Sequence, residues 1–300
     1  ANKAGAKIGY VPRRAGDTGA ISAGATPNLL PGHRLISDAA ARVDVAAAWG
    51  VNSLPAENGL AVNEIISGDT TSVLVGGVDP LDISAHHHDG LAKAFVVSLE
   101  IRRSAITDIA NVVLPVAAVV EKSGTFVNWE GRARSFETAI EDSLTRSDVR
   151  ILSMLADQMG TPINLPTVTA AREEFNSLGA WETRAGFTPV SATSASASND
   201  QALLSSWRLL LDAGSLQDGE NNLAGTAHPS VAIISAERAA SLGVKDGDLV
   251  TISTSQGSIT LPCQIDEIEK NSVWIPRNSH NSRAIASLGI ASGAVTVVKA

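Results

Sequence analysis

Ala110-Asn111-Val112-Val113-Leu114-Pro115 and, a short apolar step later, Glu121-Lys122-Ser123-Gly124-Thr125-Phe126-Val127-Asn128-Trp129-Glu130-Gly131-Arg132 are the stretch from which the rest of the chain is read. The first part is a brief apolar run stopped by a proline, which has no N–H to give a sheet ladder. The second part is the densest in special residues. Gly124 and Gly131 open backbone angles closed to other residues. Asn128, Glu130 and Arg132 bring a donor/acceptor, an anion and a planar cation close together in the sequence. Two readings follow: binding of an anion or cofactor, or a bent strand pinned by a Glu130–Arg132 pair with Trp129 packed nearby. The chemistry alone favours the strand. A pair that is truly buried costs about 3–5 kcal/mol when one partner is removed, so on this reading Arg132→Ala lowers stability without touching any reaction.

Outward from this stretch, short continuous apolar runs alternate with helical segments. Ser72–Val75 is ended by Gly76-Gly77, and Phe95–Leu99 and Val112–Leu114 follow. That pattern predicts an α/β domain with a doubly wound, mostly parallel sheet. Ile8–Val11 reads as a further short strand before Pro12, and Asp38–Trp49 as a helix stopped by Gly50. Ser147 caps a helix whose face is Ile151, Leu152, Leu155 and Met159, closed by Gly160. Pro162 and Pro166 then take the chain out of the helical pattern. The Ser/Ala/Thr/Asn tract 191–199 has nothing large to bury and reads as a linker. Residues 200–213 read as an amphipathic helix with Leu203, Leu204, Trp207, Leu210 and Leu211 on its face. Beyond it, Ser235–Leu242 is a short capped helix. Leu249–Thr254 and Ser258–Ile265 alternate around Gln256-Gly257 as a hairpin, and Val273–Ile275 and Ala294–Val298 are further strands. The expected organisation is an incomplete α/β domain over 1–165, a connecting segment over 166–222 and a small β-barrel over 223–300.

Composition narrows the function. With 4% aromatics among 44% hydrophobic residues, the core must be built from Ala, Val, Ile and Leu. A net charge of −8 argues against nucleic acid, which needs a basic surface to displace counterions. The longest apolar run, Ala110–Val120, is interrupted by Asn111 and Pro115 and is far short of the roughly 18 residues of a membrane span. The start, Ala1-Asn2-Lys3-Ala4-Gly5, has neither an initiator Met nor an apolar leader, so the chain is expected to be a piece of a longer protein. Cys263 is the only cysteine. It excludes an internal disulfide and a cluster held by four thiolates of this chain. Its alternation with Leu261 and Ile265 predicts a buried strand position.

The remaining constellations are weak. His86-His87-His88 lacks the spacing of a zinc motif, because adjacent imidazoles diverge in any regular element. A solvated loop is the plainer reading. Gly76-Gly77 at a strand end suits close approach to a ligand or a tight turn, and a tight turn needs less. No nucleophile elbow and no HExxH helix are present. No metal ligand set is expected.

The segment from Ala110 to Arg132 resembles the signature of the molybdopterin oxidoreductase superfamily, approximately ADVVLP followed by EKxGTFxNxEGR. The Asn128-Trp129-Glu130-Gly131-Arg132 version is most similar to the branch formed by the large iron–sulfur subunits of bacterial NADH:quinone oxidoreductase, respiratory complex I. Arg13–Asp17, Pro27–Gly32 and Leu216–Glu220 also resemble that branch. His228-Pro229, Ser235–Gly243 and Val244–Val250 resemble the superfamily's C-terminal dinucleotide-binding barrel. The resemblance implies a pterin face at Gly76, Gly77, Asp79, Gly124, Asn128, Glu130, Gly131 and Arg132. Two departures put a pterin there in doubt: Asn111 stands where the superfamily has Asp, and Asp79-Pro80 where Asn-Pro is frequent. A carboxylate at 79 repels pterin phosphates. Those positions are therefore expected to be vestigial, with no catalytic residues and no cofactor in this segment. The resemblance implies [2Fe–2S] and [4Fe–4S] clusters in a region upstream of this one. It implies the other subunits of the peripheral arm as partners, without nucleic acid or membrane insertion, at the cytoplasmic side of the bacterial plasma membrane. The alternative is a piece of a molybdopterin-dependent enzyme such as a formate dehydrogenase. A metal module built on the His cluster is a third, weaker reading.

Overall fold

The computed structural model describes residues 5, 9, 12, 16–67, 70–78, 90–141, 144–181, 197–198, 201–214, 217 and 219–300. The strand read at Ile8–Val11, the linker at 191–199 apart from residues 197–198, Asp79-Pro80 and His86–His88 lie outside these residues, at least in part.

By contact density the chain forms two compact units. One comprises Ala1–Ile65, Ser98–Arg102 and Val112–Pro189, and the other Ile66–Val97, Arg103–Asn111 and Val190–Ala300. The sheet strands are β1 (Ser72–Gly76), β2 (Phe95–Glu100) and β3 (Val112–Pro115), in that order across a three-stranded sheet. The ladder is parallel: Asn111 N–H donates to Val96 O and Val116 N–H to Glu100 O, so both partners advance together. Leu91, Ala94, Val96 and Ile106 form a small buried core, with Val73 and Val75 against it. The α/β class expected from the apolar runs is what the chain has.

The first unit holds four helices that matter for the site: α1 (Asp17–Ser22), α2 (Ala39–Trp49), α3 (Asp148–Gln158) and α4 (Val168–Leu178). Each of the last three begins at a side-chain cap, Asp38, Ser147 and Thr167 respectively, accepting from the first-turn N–H groups. Gly50 takes φ +64° to close α2, as a C-terminal stop requires. The helix α4 is absent from the sequence reading, which left the helical pattern at Pro162 and Pro166. Its signal was present: Thr167 as cap, then Val168, Ala171, Phe175 and Leu178 at 3 and 4 spacing.

The second unit contains a closed six-stranded barrel. Its strands are β6 (Gln201–Trp207), β7 (Ala232–Ile234), β8 (Leu249–Ser253), β9 (Ser258–Ile265), β10 (Ser272–Pro276) and β11 (Gly293–Lys299), after the hairpin strands β4 (Gly124–Val127) and β5 (Ala133–Phe136) of the first unit. The order around the barrel is β8-β9-β7-β10-β6-β11, and β11 closes on β8. Two pairs are parallel, β9 with β7 and β10 with β6. Alternation fills the interior: Val250 and Ile252 from β8, and Ile259, Leu261 and Cys263 from β9, all point inward. The expected hairpin is present, with Ser253 opposite Ser258 and Leu249 opposite Pro262. Gly257 is required there, because a Cβ would sit 2.3 Å from Ser287 O.

The helix read over 200–213 is corrected. Residues Gln201–Trp207 are the barrel strand β6, so the barrel also begins ahead of residue 223. Leu203, Leu204, Trp207, Leu210 and Leu211 do fall at helical spacing, but the side that is buried is Ala202, Leu204 and Ser206. Two of those three are small or polar, while Trp207 faces outward against Trp274 at 4.8 Å between ring centroids. The parallel ladder to Ser272–Pro276 overrides local periodicity, and no local pattern announces it.

Candidate functional site

The stretch Glu121–Phe136 folds into a two-stranded antiparallel hairpin rather than one bent strand, with Gly124 opposite Phe136 and Val127 opposite Ala133. Its base is anchored by Lys122, whose Nζ pairs with Asp148 in the first turn of α3. Glu121 Oε2 accepts from Ala118 N–H at 2.8 Å and from Thr145 Oγ1 at 3.3 Å. Gly124 lets the Phe136 ring pack close: a Cβ there would meet the ring tip at 2.5 Å and push it aside. The ring lies over that strand and stacks on Phe126, 5.1 Å away.

The tip brings together Asn128, Glu130, Gly131 and Arg132. Asn128 Oδ1 accepts from Glu130 N–H at 3.0 Å and from Arg132 N–H at 2.9 Å. Asn128 N–H donates to Arg132 O at 3.1 Å, and Gly131 N–H to Asn128 O at 2.9 Å. Gly131 holds φ +81°, which is why a glycine stands there. Asn128 Nδ2 donates to Glu130 Oε2 at 3.3 Å, and Arg132 Nε pairs with the same oxygen at 3.1 Å. The Glu130–Arg132 pair read from the sequence is therefore present, but it is not buried: the side chains are 39% and 63% exposed. The cost of breaking a buried pair does not apply, and an exposed pair contributes about 0–1 kcal/mol. Asn128→Ala is expected to cost more, about 1 kcal/mol, because it strips the acceptor from two turn N–H groups. Arg132→Ala is expected to cost less than about 0.5 kcal/mol. Urea midpoints of the two variants measured together check the order, and the reverse order would mean that the tip is organised by its ions.

One face of the hairpin, Thr125, Val127, Ala133 and Ser135, lines an open cavity of about 570 Å³ together with α1 and α4. Arg172 of α4 spans it, donating from Nε to Thr125 Oγ1 at 3.1 Å and from Nη2 to Gly124 O at 3.2 Å. The walls are mostly small and apolar. This arrangement ties a helix to a hairpin.

The other expected positions separate. Gly77, the residue after β1, takes φ +61°, and a Cβ there would meet nothing within 4 Å, so conformation and not close approach explains it. Asn111 Oδ1 accepts from Val96 N–H at 2.8 Å while its own N–H donates to Val96 O at 2.9 Å. Asn111 thus fixes the register between β2 and β3, a task an Asp performs equally, so its departure from the superfamily pattern does not discriminate between cofactor states. Among the described residues no group of three His, Cys, Asp or Glu side chains is placed to hold a metal ion, and no helix is long and apolar enough to cross a membrane.

Cys263 is buried at 2% exposure and its Sγ donates to Lys245 O at 3.0 Å. Burial, and then the nearby Asp246 and Asp248 carboxylates, push the thiol above its ordinary value. The native thiol is therefore protonated at neutral pH. The sign follows: its contribution to stability is full below the unfolded pKa and is lost as pH rises through the higher folded value. Iodoacetamide at neutral pH is expected to leave the native chain unlabelled and to label it fully in denaturant. Rapid native labelling would place the thiol at the surface.

A family model, molybdopterin oxidoreductase, matches residues 4–158, and a second, described as "Molydopterin dinucleotide binding domain", matches residues 213–297. The chain belongs to the molybdopterin oxidoreductase family. Within that family it is 45% identical over its whole length to the G subunit of NADH-quinone oxidoreductase from Mycobacterium bovis, and 44% identical over 96% of its length to the G subunit from Streptomyces coelicolor. It spans 39% and 36% of those relatives, so it corresponds to part of such a protein. Formate dehydrogenase H of Escherichia coli is 31% identical over 49% of this chain, covering 22% of that enzyme. Among solved structures, acetylene hydratase from Pelobacter acetylenicus aligns over 78% of this chain and 42% of its own, with 14% identity and a TM-score of 0.49.

Proposed function

We propose that this segment is a scaffold within the large iron–sulfur subunit of a bacterial NADH-quinone oxidoreductase and carries no redox centre of its own. In this reading the α/β part and the barrel support electron transfer from NADH to quinone by holding neighbouring peripheral-arm subunits. The [2Fe–2S] and [4Fe–4S] clusters belong to the portion of the subunit outside these residues. The assembly sits at the cytoplasmic face of the plasma membrane. What supports the reading is the whole-chain similarity to the mycobacterial and streptomycete G subunits together with the state of the hairpin tip. There, Asn128, Glu130 and the backbone of Arg132 direct their hydrogen bonds at one another, and Arg172 commits donors to the hairpin. On this reading those polar groups serve the turn itself rather than a pterin. A single cysteine also cannot supply four thiolates to a cluster.

The test uses the assembled complex containing the full subunit. Molybdenum and tungsten are measured by elemental analysis, and pterin by fluorescence of its oxidised form. Both are expected far below one per complex. One pterin per complex would overturn the scaffold reading in favour of the formate dehydrogenase-like alternative.

A further inference from the structure

We draw no further inference here: the strongest candidate, the aromatic face on the β4–β5 hairpin where the exposed Phe126 stacks on the half-buried Phe136, carries nothing because nothing in the structure shows what covers it.

Discussion

Arg34→Ala is expected to lower the stability of the chain by about 3 kcal/mol, a loss of about 6–12 °C in melting temperature for a unit of this size. Arg34 is 2% exposed, which an arginine tolerates only when its donors are matched. All five guanidinium N–H groups are engaged. Nη1 donates to Pro31 O and Gly179 O, both at 2.9 Å. Nη2 donates to Leu178 O at 2.7 Å and to Asp44 Oδ2 at 2.6 Å, and Nε to the same carboxylate oxygen at 3.0 Å. The guanidinium also lies 4.9 Å from the Trp181 ring centroid. Leu178 ends α4, so the cation sits where the helix dipole is negative. Removing it leaves three carbonyls without these donors, and each that stays dry costs about 1–3 kcal/mol. Asp44→Asn is the control. Its carboxylate is 46% exposed, so losing that charge is expected to cost only about 1 kcal/mol. Arg34→Lys is expected to recover less than half of the alanine loss, because an ammonium has no planar fork. Guanidinium titrations of the three variants decide it. If Arg34→Ala matches Asp44→Asn, the carbonyl contacts contribute nothing and the residue is only one end of a surface pair.

The same cluster sets a direction with pH. Trp181 Nε1 donates to Asp38 Oδ2 at 3.2 Å, and this bond, with the Ala40 and Ala41 N–H groups at the start of α2, holds the Asp38 carboxyl below its ordinary value. A lowered carboxyl stabilises fully above its unfolded pKa. That stabilisation is lost as pH falls through the folded value. Weakening is therefore expected on the acid side, below the ordinary carboxylate range.

Arg34 illustrates what the sequence hides. Arg34 stands just beyond the Pro27–Gly32 stretch, and its partners Leu178 and Gly179 lie more than 140 positions away. Long-range satisfaction of one buried cation leaves no periodic trace. Asp38, by contrast, was legible as a helix start, because a cap acts on N–H groups two or three residues on. The apolar runs that became β1, β2 and β3 were legible because parallel strands read as continuous apolar segments, although here only β2 buries residues and Leu74, Val112 and Val113 stay exposed. At the hairpin, the residue types announced a constrained bend and a Glu–Arg pair. Exposure was not legible, since burial depends on what the fold lays over the tip. Residues 201–207 failed in the opposite way: a helical spacing was present by composition, and a parallel partner sixty-odd residues later prevailed.

The β8–β9 hairpin was the part of the barrel most fully written in local alternation, and adjacent residues of β8 should reveal it. Ile252 is fully buried, opposite Ile259 on one side and Val297 on the other. Its neighbour Thr251 faces outward, with Oγ1 2.9 Å from Thr260 Oγ1. Ile252→Ala removes three carbons from a closed interior whose strands cannot collapse independently, so it is expected to cost about 3–4 kcal/mol, within the range for large-to-small core changes. Ile252→Val should cost about 1 kcal/mol, because only one methyl is lost. Thr251→Ala removes one cross-strand hydroxyl pair at the surface and is expected to cost about 0.2–1 kcal/mol. Trp274, 6% exposed and tilted against Trp207, provides a fluorescence signal within the same barrel. The contrast between 251 and 252 tests register directly: side chains alternate with period two, so a slip of one residue exchanges the two positions and inverts the order of the losses. A Thr251→Ala loss larger than that of Ile252→Ala would mean that β8 presents its other face to the core and that the barrel closes differently.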